Sequence, residues 1–133
     1  PFPPPIPPNL RLAVAVYVAS DRAAAAAYED LTGPALKAAL ADVLSSVPGL
    51  AYTVSDAVVC SDSSLAAEMS RAVSLALPRH SRSVIFTCGG TGFSGRDCAP
   101  EATKPHLTHD LTSCLLHPCL AGSGEPLAWL SRG

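Results

Sequence analysis

Apolar residues in this chain gather into short runs and stripes, and each predicts an element. Leu10 to Val18 is nearly continuous in apolar residues, as a strand covered on both faces of a parallel sheet tends to be. Five alanines, Ala23 to Ala27, favour continuation of the chain as helix. Leu36, Leu40, Val43 and Leu44 recur at helical spacing behind Thr32, Gly33 and Pro34, which predicts a helix capped by Thr32 or Gly33, entered through Pro34 and ended by Gly49. Tyr52 to Cys60, rich in Val and Tyr, predicts a second strand. Asp62 follows as an expected N-cap, and Leu65, Met69, Val73 and Leu77 repeat every four residues as the apolar face of the next helix. Val84 to Thr87 suits a buried third strand.

Strands and helices that alternate in this order imply an α/β fold, a mostly parallel sheet with helices on both faces in a three-layer sandwich. Ligands of such sheets bind beyond the carboxyl ends of the strands. Asp21, Asp62, Gly89 to Gly92 and Asp97 are scattered in sequence, yet all fall at those ends.

The third strand runs into TCGGTGFSGRDCAPEATKP, Thr87 to Pro105. Gly89, Gly90 and Gly92 free the backbone so that N–H groups can converge on an anion, phosphate above all, and the hydroxyls of Thr87, Thr91 and Ser94 can add hydrogen bonds. Arg96 supplies a fixed cation, and Asp97 a carboxylate able to hold a metal or take a proton. Neither the Gly-Lys-Ser/Thr end of a P-loop nor the dinucleotide glycine spacing is present. Valine in place of Gly90 is expected to block anion approach and leave the fold largely intact.

Composition narrows the class. The 133 residues suffice for one domain, and 48% hydrophobic with 15% charged content fits a globular chain. A formal net charge of -2 gives no global attraction to nucleic acid or to an acidic membrane, so an anion site must be local. The longest apolar runs fall far short of the roughly 20 residues of a membrane helix. Five cysteines without paired spacing point to free thiols in a reducing compartment; a metal cluster of Cys114, His117 and Cys119 matches no closed zinc pattern. Residues 1–9 hold six prolines between Pro1 and Pro8 and form an expected arm or linker, with the domain spanning 10–133. The first residue is not Met, so further sequence, a targeting segment included, is expected upstream.

The run from Thr87 to Pro105 resembles the TTGGTG…RDVTPEAT signature of the molybdopterin adenylyltransferases: the MogA and MoaB group, the plant G domains and the gephyrin G domain. The likeness extends to Ser20-Asp21 after the first strand, expected at the pocket rim unless the pair merely caps a turn, and to YEDLTGP, Tyr28 to Pro34. It covers residues 10–107 well, weakens over Thr108 to Gly124, and returns in PLAWLSRG. Relatives continue into an Asn-Leu-Pro-Gly loop beyond the point where this sequence stops, so the C-terminal part of the domain is expected to be missing.

The resemblance implies a molybdopterin-binding-domain-like fold and a reaction in molybdenum cofactor biosynthesis, adenylylation of molybdopterin by Mg-ATP. Ser20, Asp21, Thr87, Gly89, Gly90, Thr91, Gly92, Ser94 and Arg96 would bind the molybdopterin and phosphate groups. Asp62 matches a family aspartate that reaches the nucleotide, and Asp62 and Asp97 would be catalytic and hold magnesium. Family members form trimers, and Leu111 to Leu120, with too few charges to be left in water, is expected to be buried by the core or by a subunit contact. A cytoplasmic setting is expected, with an organelle left open. The alternative is a non-catalytic homologue serving as a structural subunit or binding module of a larger assembly. Cys88, Gly95, Cys98 and Ala99, where relatives usually have Thr, Pro, Val and Thr, favour that alternative.

Overall fold

The computed structural model describes residues 7, 10–75, 81–111, 122 and 124. Strand β1 (Arg11–Ala19) is the centre of a parallel sheet. Strand β4 (Ser81–Cys88) pairs along one edge of β1, from Arg11↔Ser81 to Val18↔Cys88. A strand has two edges, so β2 (Ala51–Val54) and β3 (Val58–Cys60) share the other, pairing with Arg11 to Val14 and with Tyr17 to Ala19. The expected second strand is thus a strand broken at Ser55 to Ala57, where the Ser55 N–H still donates to Val14 O at 2.9 Å.

Alternation along β1 sends successive side chains to opposite faces, and each face meets helices. On one face, Val18 lies beside Gly33 at the start of α2 (Thr32–Ser45). On the other, Tyr17 and Ala19 join Cys60, Leu65, Met69, Ala99 and Ala102 in a core closed by α3 (Leu65–Ser74) and α4 (Ala99–Thr103). The three layers are those expected.

Local details differ for physical reasons. Helix α2 is capped by neither Thr32 nor Gly33: the Asp30 carboxylate accepts the Thr32 N–H at 3.0 Å and the Gly33 N–H at 3.1 Å. Gly33 is glycine for space, since a Cβ there would lie 2.4 Å from Ala57 Cβ. Val43 is 64% exposed, so the stripe of α2 is narrower than its spacing suggests, and the helix ends at Ser45 before Gly49. The alanine run forms only the end of α1 (Asp21–Ala24) before Ala26 turns to positive φ. Among the described residues β4 pairs with β1 alone, which leaves Val84 and Phe86 over a third exposed where a buried strand was expected. Leu77 and nearly all of the Leu111 to Leu120 segment lie outside the described residues, as do Cys114, His117 and Cys119; Leu111 itself is exposed.

Candidate active site

Strand register builds the site. Ala19 pairs with Cys60, and Val18 with Cys88, so three chain segments leave the sheet side by side. The first carries Ser20 and Asp21, the second Ser61 and Asp62, the third Gly89 and Gly90. Gly89 (φ 89°) passes so close to β1 that a Cβ would lie 2.2 Å from Ala19 O. Gly90 (φ 64°) leaves room for a carboxylate, since a Cβ there would lie 2.7 Å from Asp62 Oδ1.

Asp62 is not the helix cap. Ser61 takes that part, its hydroxyl accepting the Ser64 N–H at 3.2 Å at the start of a 3-10 turn, Asp62–Ser64, that leads into α3. The Asp62 side chain is left for another use. Its Oδ1 is buried without a hydrogen-bond partner, an arrangement a folded chain rarely keeps without function. Burial pushes the Asp62 carboxyl above the usual range, and the nearby charges of Asp21 and Asp97 add to the shift. The backbone N–H of Asp21 and the charge of Arg96 oppose it without cancelling it.

The glycine loop then folds around Asp97. Asp97 Oδ2 accepts the Ser94 N–H at 2.8 Å, and the Asp97 N–H donates to Ser94 O at 3.0 Å. A Cβ on Gly92 would stand 3.0 Å from the same oxygen. The Ala99 N–H donates to Gly90 O at 2.9 Å, which ties the loop to α4. Arg96 reaches back to Asp21, Nη1 to Oδ2 at 3.7 Å. The thiol of Cys98 donates to Asp62 O at 2.8 Å, and burial raises its pKa and that of Cys60, as for thiols that pack rather than react.

The structure therefore brings together Asp21, Asp62, Arg96, Asp97, Gly90 and Gly92 at the carboxyl ends of the strands. Thr87 lies one residue before the end of β4, with Thr91 and Ser94 on the loop beyond. Ser20 lies at the same rim, but its hydroxyl accepts the Ala23 N–H at 3.3 Å and shares a hydrogen bond with Tyr28 at 2.8 Å. Valine at Gly90 would place its Cβ 2.7 Å from Asp62 Oδ1 in a left-handed backbone, with Ala99 Cβ at 3.4 Å and Ala19 Cβ at 3.5 Å, so it would strain the site as well as block it. The sequence also gave no sign that Asp21 is a connector: it accepts the Asp62 N–H at 3.0 Å, a contact visible only once β1 and β3 are paired.

This donor set suits a hard divalent cation in part. A buried carboxylate oxygen without a partner, surrounded by like charge, is stabilised by a cation, yet among the described residues no three His, Cys, Asp or Glu side chains are grouped to hold one alone. Such an ion would take one or two protein carboxylates and complete its shell from phosphate and water, the usual habit of magnesium.

Against known proteins, the family model described as a probable molybdopterin binding domain matches residues 15–125. The chain belongs to the molybdopterin-binding domain family of MogA and MoaB. The match takes in every site residue from Ser20 to Asp97. Solved structures agree in fold. A molybdopterin biosynthesis protein from Mycobacterium abscessus is 31% identical, with TM-score 0.66, over 95% of this chain and 73% of that one. A MogA structure is 29% identical with TM-score 0.62, over 92% of this chain and 74% of its own. The molybdopterin biosynthesis enzyme MoaB from Thermus thermophilus is 27% identical with TM-score 0.63, over 92% and 71%. This member of the family thus spans about three quarters of those chains. No curated protein sequence matches it.

Proposed function

We propose that this family member adenylylates molybdopterin with Mg-ATP. The observation that carries the reading is the buried, unpartnered Asp62 Oδ1 set against Gly90, where a Cβ would stand 2.7 Å away, with Asp97 and Arg96 on the same loop. The glycine loop, Gly89 to Gly92, would receive phosphate groups, with Thr87, Thr91 and Ser94 adding hydroxyls and Ser20 at the rim. Arg96 is 76% exposed at its side chain, so an incoming anion can reach it while it stays beside Asp21. Asp62 and Asp97 would hold magnesium, which when bound neutralises charge on the departing pyrophosphate. The rest of the work is positioning: the loop fixes the attacking phosphate, and a short contact network keeps the two carboxylates in place.

Asp97→Asn decides the catalytic part. Asparagine retains an oxygen for the Ser94 N–H but removes the charge, so adenylylated molybdopterin formation should fall at least about 100-fold while pterin binding persists. The assay uses parent and variant with ATP and magnesium. A variant as active as the parent removes Asp97 from catalysis, and an inactive parent leaves the scaffold reading.

A further inference from the structure

Asp21 lies at the start of α1 but does not cap it, because the Ser20 hydroxyl already accepts the Ala23 N–H. Its carboxylate points across the rim. Ala19↔Cys60 pairing places Asp21 and Asp62 two residues beyond paired positions on neighbouring parallel strands, so they emerge at the same height. Asp21 Oδ1 accepts the Asp62 N–H at 3.0 Å, and Oδ2 faces Arg96 Nη1 at 3.7 Å. One side chain therefore touches the backbone of Asp62, whose Oδ1 is without a partner, and also the cation of the glycine loop.

We propose that Asp21 is a positioning residue: it contacts no ligand and acts by holding the Asp62 backbone and steering Arg96. This rests on the reading of Asp62 as a site carboxylate. Each of Asp21's carboxylate oxygens has a partner within the protein, whereas Asp62 Oδ1 has none, so ligand contact falls to Asp62. The same geometry explains the like charge: a carboxylate is the side chain able to accept an N–H on one oxygen and attract a guanidinium with the other.

The test compares Asp21→Ala and Asp21→Asn in the full chain, alone and in an Asp62→Asn background. Mg-ATP affinity is followed by calorimetry and the Asp62 amide and carboxyl signals by NMR. Loss of such a supporting contact typically costs roughly 10–100-fold in metal affinity or activity. Asp21→Ala should therefore weaken Mg-ATP by about that factor and shift both Asp62 signals. Asp21→Asn, whose amide oxygen still accepts the Asp62 N–H but which no longer attracts Arg96, should restore the Asp62 amide signal and recover the part of the affinity that this contact supplies. In the Asp62→Asn background the alanine change should cost little more. Full additivity, unmoved Asp62 signals, or an asparagine variant as weak as alanine each overturn the proposal. If the alanine variant does not fold, Asp21→Ser replaces it with the same expectation. A parent that binds no Mg-ATP defeats the nucleotide reading instead, and the Asp62 signals then decide the positioning role by themselves.

Discussion

Gly89 and Gly90 are adjacent and both left-handed, yet they serve different ends. At Gly89 the obstruction to a side chain is backbone, Ala19 O at 2.2 Å, which cannot swing away. At Gly90 it is the tip of Asp62, which can. Gly89→Ala should therefore cost roughly 3 kcal/mol or more of stability, and Gly90→Ala nearer 1–2 kcal/mol, the usual penalty of left-handed backbone. Chemical denaturation gives both values; equal costs would contradict the packing described. Asp62 itself is held at a loss. Its folded pKa lies above the ordinary value through burial and the charges of Asp21 and Asp97, so its ionised form destabilises the fold. Asp62→Asn should raise stability by about 1 kcal/mol at neutral pH. That gain should be complete above the folded pKa, shrink as pH falls through it, and vanish below the unfolded value. Thermal melts from pH 7 down to about 3 check the sign.

At the scale of elements, the caps are made by side chains just outside the helices they serve. Asp30 holds two N–H groups of α2, so Asp30→Ala should lose about 1 kcal/mol while Thr32→Ala changes little. Urea unfolding of the two variants separates them, and a reversed order would restore Thr32 as the cap. The Ser61 cap matters for chemistry as well as stability. By taking the Ser64 N–H it relieves Asp62 of capping duty and leaves that carboxylate for the rim.

For the molecule as a whole, the site is only as firm as the core behind it. Leu65 is 0% exposed, one turn past Asp62, and packs with Tyr17, Met69, Ala99 and Ala102. Leu65→Ala should cost about 2–5 kcal/mol and weaken Mg-ATP binding with it, because the cavity loosens the turn that carries Asp62. Denaturation and calorimetry on the same preparation test the coupling; lost stability with unchanged affinity would break it. Among the described residues no helix is long and apolar enough to cross a membrane. By itself the sequence determined the α/β layering, β1, the helices of the Leu65 and Leu36 stripes, the glycine loop and the family, because periodicity, β-branched runs and an ordered motif are local and survive without coordinates. Only the tertiary structure decided the break in the second strand, the pairing of β4 along β1, the capping by Asp30 and Ser61, and the contact of Asp21 with Asp62. Each of these depends on which residues the strand register and helix packing place together, and residues 41 apart in the chain, such as Asp21 and Asp62, carry no local signal that they will meet.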